Sequence, residues 1–136
     1  MKTRILKAMI YIFAAILVAF FWVGVLSVFT TPAQAKHKHT EKYYQNIWCA
    51  EQGGETEVVM PNGTRCDCLT DTHAVEHDFA AKWCEAVGQS LHYSAHTGKR
   101  AGIVLIMESD KDVKYWERLN WTIKKFNLPI DTWAMH

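Results

Sequence analysis

After Lys2, Arg4 and Lys7 the chain runs from residue 8 to residue 29 without a charge, and from Lys36 onward polar and apolar positions alternate in short patterned blocks. Glu41 to Gln52 has helical composition and stops at Gly53-Gly54, since glycine after a periodic run is a common helix terminator. Thr56 to Met60 is β-prone, and Pro61-Asn-Gly-Thr64 is a turn signal that joins it to a second strand, Arg65 to Thr70, as a hairpin. Asp71-Thr-His73 leads into a third strand that ends near Phe79. From Ala80 to about Ala95 the pattern changes to a helix, with Trp83, Val87 and Leu91 on its apolar side. Thr97 to Gly102 reads as a loop, and Ile103-Val-Leu-Ile-Met107 as a strand buried on both faces. A second amphipathic helix follows from Asp110 to Phe126, capped by Ser109 or Asp110 and bounded by Pro129. The expected order is helix, three strands, helix, strand, helix: an α/β fold with a small mixed sheet flanked by helices.

The uncharged opening changes the picture of where this fold works. A positive start, a long apolar run and the small-x-small site Ala33-Gln-Ala35 are the marks of an export signal, with Lys36 as the first residue after it. The 22-residue run also has the length of a membrane span, so residues 1–35 are expected to be a signal peptide or an N-terminal membrane anchor. In either case the domain of residues 36–136 faces the far side of the membrane, in the periplasm or anchored at the inner membrane. Its 101 residues suffice for one hydrophobic core. Lys36-His-Lys-His39 reads as a disordered polar tail rather than as a copper-binding terminus.

Residues 36–136 hold 12 Lys and Arg against 14 Asp and Glu. A net charge of −2 disfavours a broad electrostatic nucleic-acid surface and leaves a local basic patch around Lys82, Lys99 and Arg100. The tryptophans Trp83, Trp116, Trp121 and Trp133 are expected in the core. Cys49, Cys66, Cys68 and Cys84 all lie in the exported part, and an even count in an oxidising compartment points to two disulfides. Cys66 and Cys68 would share a strand face and cannot easily bridge each other, so each is expected to pair with Cys49 or Cys84. A Cys₄ zinc site lacks the usual paired spacing.

Candidate chemistry concentrates between Arg65 and Tyr93. In extended backbone Arg65 and Asp67 share one face of the second strand, and Glu76 and Asp78 share one face of the third. Adjacent antiparallel strands would bring these acids together, and clustered carboxylates beside a lysine suit Mg²⁺ or Mn²⁺ and the activation of water against a phosphodiester. Lys82, Glu85, Gln89 and Tyr93 recur every three or four residues and line one stripe of the helix that follows. Asp67, then Glu76, then Gln89-Ser-Leu-His-Tyr93 resembles the PD-(D/E)XK nuclease superfamily in its RecB-like branch, over roughly residues 40–108.

That resemblance implies a restriction-endonuclease-like αβββαβ core, here disulfide-stabilised, and an exported enzyme that hydrolyses phosphodiester bonds, with DNA as its nucleic-acid partner. It implies metal ligation by Asp67, Glu76 and Asp78, with Mg²⁺ or Mn²⁺ as cofactor, and catalytic roles for Asp67, Glu76, Lys82, Gln89 and Tyr93. The sequence departs from the family pattern at position 78, where Asp stands in place of Lys. Lys82, at the start of the next helix, would supply the missing ammonium. The alternative is an inactive nuclease-fold protein acting as a binding or accessory component of the cell envelope.

Overall fold

The computed structural model describes residues 37–136, so the signal or anchor expected over residues 1–35 lies outside the described residues. Helix α1 spans Glu41–Glu51, and its first turn is held by Thr40, whose hydroxyl accepts the Tyr43 N–H at 3.3 Å. Strands β1 (Glu55–Val59) and β2 (Arg65–Leu69) form the expected hairpin, and β3 covers His73–Phe79. A 3₁₀ turn, Ala80–Lys82, leads into α2 (Trp83–Thr97), followed by β4 (Arg100–Ile106). A second 3₁₀ turn, Asp110–Asp112, carries a capping box with Ser109 and feeds α3 (Val113–Phe126), and the chain closes with β5 (Ile130–Met135).

The five strands form one sheet in the order β1-β2-β3-β4-β5. The first three are antiparallel neighbours, whereas β4 and β5 are added in parallel. Parallel neighbours require crossovers, and two crossovers of one hand moving in one direction put α2 and α3 on the same face of the sheet. Accordingly Ile103 and Leu105 of β4 pack with Ala86 of α2 and Leu119 of α3. Helix α1 covers the other face, where Trp48 and Cys49 meet Val75 and Val104. Among the described residues no helix is long and apolar enough to cross a membrane.

The sheet differs from the expectation at two places. Arg100-Ala-Gly102 is strand rather than loop, because β4 pairs with β3 from His73 and Arg100 onward. Gly102 belongs inside it: a Cβ there would stand 2.9 Å from the Trp133 ring and 3.0 Å from Val75. Ile130–Met135, unassigned from the sequence, is the parallel edge strand, tied down by Asp131, which accepts from Arg100 at 2.8 and 2.9 Å and contacts His73 Nε2 at 2.8 Å.

One disulfide forms instead of two, between Cys49 of α1 and Cys68 of β2. Cys66 is a buried free thiol and Cys84 an exposed one. The β1–β2 ladder is interrupted at Glu57 and Asp67, where Glu57 has φ +60°, so simple alternation fails across that point. Cys66 consequently packs with Met60, Ala74 and Tyr93, while Cys68 sits with Cys49 and Val75. Gly54 carries the chain over the bridge, since a Cβ there would lie 2.6 Å from the Cys68 sulfur.

The tail is also ordered from His37 onward. Glu108, just past β4, contacts His37 Nδ1 at 2.8 Å and accepts the Lys38 N–H at 2.8 Å and the Tyr44 hydroxyl at 2.9 Å. His37 stacks on Phe79 with 3.5 Å between ring centroids.

Candidate functional site

The centre of interest is the place where β2 and β3 part. Their ladder holds only at Cys68 with Val75 and at Leu69 with Ala74. Beyond it the Asp67 carboxylate spans the opening, Oδ2 accepting the His77 N–H at 2.8 Å. On the opposite side the Asp67 carbonyl is taken by a side chain from α1: Gln45 Nε2 donates to it at 2.6 Å and to Glu57 Oε1 at 3.2 Å. Gln45 is buried, so this fork locks α1 onto the distorted stretch of the hairpin. Arg65 makes its ion pair with Glu57, at 3.3 Å, rather than with Asp67, and acts on Asp67 only as a weaker, more distant charge.

Along β3 the side chains alternate. Glu76 and Asp78 point to the α2 face and are 4% and 3% exposed, a degree of burial that carboxylates rarely reach unless paired. Asp78 is paired: Lys82 Nζ lies 3.2 Å from its Oδ1 and 3.8 Å from Oε2 of Glu41, at the start of α1. Glu76 is different, because its Oε2 is buried without any hydrogen-bond partner. Burial drives the Glu76 carboxyl well above the ordinary carboxylate range, and the nearby Asp67, Asp78 and Glu41 push it the same way against a smaller opposing effect of Lys82. Asp78 is raised by burial and by Glu41, with Lys82 opposing. Asp67 is raised by burial, partly offset by the His77 N–H. Three neighbouring carboxyls are thus held in a place that favours their neutral forms.

The stripe expected along α2 also reaches this region. Tyr93 is buried against Cys66 and Ala74, and Gln89 Nε2 donates to its hydroxyl at 3.4 Å. Burial raises the Tyr93 hydroxyl, the Gln89 hydrogen bond lowers it, and Glu76 and Asp67 add smaller upward pushes. His77, on the α1 face of β3, packs its ring edge against Trp48, and neither ring nitrogen is hydrogen-bonded, Nδ1 standing 3.9 Å from Asp67 Oδ2. Burial alone lowers its pKa to about 3, so it is neutral at neutral pH.

The structure therefore brings together Asp67, Glu76, Asp78 and Lys82, with Tyr93 and Gln89 on the adjoining helix. Among the described residues no three His, Cys, Asp or Glu side chains converge closely enough to enclose an ion by themselves. Glu41 and Gln45 escape a reading of the sequence, although their spacing of four on α1 marks them as one helical face. Two cations of the basic patch expected around Lys82, Lys99 and Arg100 are paired from within, Lys82 by Asp78 and Glu41 and Arg100 by Asp131, while Lys99 donates to the Thr70 carbonyl. No protein-family model, curated protein or solved structure matches the chain.

Proposed function

We propose that the acid cluster is the metal-dependent phosphodiester-hydrolysing site of an exported nuclease-like protein of the PD-(D/E)XK kind, acting on DNA. The carrying observation is the unpartnered, buried Oε2 of Glu76 beside Asp67 at the opening of β2 and β3. A buried carboxylate with no donor is a costly arrangement, and a hard cation is the ligand that removes the cost. The order α1, β1, β2, β3, α2, β4 supports the same reading, being the helix, three strands, helix, strand succession that the resemblance implies.

The residues fit the ion. Asp67 and Glu76, helped by Asp78, would hold Mg²⁺ or Mn²⁺; one or two carboxylates with substrate phosphate and water suffice for Mg²⁺, so three converging protein ligands are not required. Such an ion, when bound, lowers the pKa of a coordinated water and so supplies hydroxide at neutral pH. Lys82 stands half-exposed at the edge of the cluster, where its ammonium can meet the developing charge on phosphate. Asp78 holds that ammonium in place and Glu41 steadies it from α1. Gln89 and Tyr93 brace the Glu76 side of the opening.

Lys82→Ala tests this division of labour. The variant is expected to keep its fold and its affinity for Mn²⁺, since an ammonium beside a cation opposes binding. Cleavage of plasmid DNA should fall by about 10²-fold, the scale of removing one group that stabilises transition-state charge. An alanine variant as active as the parent would show Lys82 to be a surface residue. A parent that cuts neither DNA nor RNA with Mg²⁺ or Mn²⁺ would favour the inactive binding protein instead.

A further inference from the structure

Helix α3 carries four cations, Lys114, Arg118, Lys124 and Lys125, against one acid, Glu117, in a domain whose net charge is negative. Lys114, Arg118, Trp121 and Lys125 are spaced four, three and four apart, which places them on one stripe of the helix. All four are exposed, Trp121 to 65%, contrary to the core position expected for it. The inward face is made by Leu119 with Tyr115, Trp116 and Ile123, so the stripe is not a face waiting for the sheet. None of the four cations makes an ion pair among the described residues, unlike Lys82 and Arg100. Lys114 and Arg118 instead lie over the Tyr115 ring, at 4.7 and 5.6 Å from its centroid. Trp121, Lys124 and Lys125 line a shallow depression of about 400 Å³.

We infer that this face of α3 is a track for single-stranded nucleic acid, with Lys114, Arg118 and Lys125 on successive phosphates and a base stacked on Trp121. The inference rests on the nuclease reading only for the identity of the strand as substrate. Unpaired cations in a row with an aromatic ring among them are the combination that holds single strands without regard to sequence. The stripe is about 16 Å long at the rise of an α-helix, room for a few nucleotides. It also begins in the right place: Tyr115 and Trp116 share a cluster with Ala80, in the turn that carries Lys82, so a strand on α3 is led toward the acid cluster. An anionic membrane is the poorer match. The exposed apolar residues Val113, Trp121 and Phe126 do not fall on one side of the helix, and an interfacial helix needs a continuous apolar face to bury.

Fluorescence anisotropy tests it, using the full chain in a neutral detergent with EDTA present and labelled twenty-residue oligo-dT and oligo-U as probes. Binding should be salt-dependent. In the Lys114→Gln, Arg118→Gln, Lys125→Gln triple variant the affinity should drop at least tenfold at about 0.1 M salt, and the slope of log K against log salt should shrink by about 2, for three lost contacts on a single strand. Trp121→Ala should weaken binding about tenfold with the slope unchanged. Preference for dT or U separates DNA from RNA as the strand. A parent that binds neither probe, or a triple variant with unchanged affinity and slope, overturns the inference. So does a triple variant that is impaired only on mixed micelles containing an anionic lipid. A protein that binds through α3 and never cuts leaves this surface standing while removing the nuclease reading, whereas one that cuts with the same KM in the triple variant does the reverse.

Discussion

Glu76→Gln is expected to make the metal-free protein more stable at pH 7.5, by about 2–4 kcal/mol, and to leave stability at pH 4 nearly unchanged. The sign follows from proton uptake. The Glu76 carboxyl titrates higher in the fold than in the unfolded chain, with burial as the first cause and the surrounding carboxylates as the second. Between the ordinary glutamate pKa and the raised one, the folded state holds a proton that the unfolded state has released. Stability therefore falls as pH rises through that window, by about 1.4 kcal/mol for each pH unit. A neutral amide of the same shape has no such loss. Urea unfolding of parent and variant in EDTA at the two pH values checks it, and a variant less stable than the parent at pH 7.5 would show that the carboxylate is satisfied after all. His77 acts in the opposite sense at lower pH. Its folded pKa near 3 lies below the unfolded value of 6.5, so acid costs stability in the intervening range. The two slopes oppose each other, and substitution at Glu76 isolates one of them.

Loss of the Cys49–Cys68 bridge is expected to lower stability by about 2–5 kcal/mol, the usual range for a native disulfide in a small domain. More follows here than release of a constraint on the unfolded chain. The bridge sits one residue from Asp67 and on the same helix as Gln45 and Glu41, so it fastens to β2 the helix that grips the Asp67 carbonyl and steadies Lys82. A Cys49→Ala, Cys68→Ala double variant should lose the proposed nuclease activity as well as stability, because it loosens α1 against the acid cluster. Thiol titration provides the control. The native parent should expose Cys84 alone, and denaturation should add Cys66 without reduction. Four titratable thiols in unreduced material would remove the bridge, and no titratable thiol in denatured, unreduced material would restore the second one.

Much of the architecture was written in local patterns. Gly53-Gly54, the Pro61-Asn-Gly-Thr64 turn and Pro129 punctuate the chain, and the helices and the first four strands fall between them with end shifts of a few residues. The acids could be placed because alternation along β3 is regular, so Glu76 and Asp78 share a face as expected. Regularity failed on β2 opposite Glu57 of β1, whose positive φ marks the break in their ladder, and a local backbone conformation of that kind leaves no mark on a non-glycine position. Strand β5 was missed because a parallel edge strand is defined by its neighbour more than by its own alternation. Glu41, Gln45 and Glu108 matter through partners that are distant in sequence, and Trp121 misled because an amphipathic helix rich in aromatics normally buries them.

The central claim is that Asp67 and Glu76 await a cation, and its most direct test is thermal unfolding of the protein titrated with Mn²⁺ at pH 7.5. A ligand bound only to the folded state must stabilise it, by RT ln(1 + [L]/Kd). The parent should show a melting temperature that climbs with Mn²⁺ concentration, and Asp67→Ala and Glu76→Gln should begin at or above the metal-free parent and fail to climb. A parent whose melting temperature ignores Mn²⁺, or variants that respond as strongly as the parent, would contradict the account.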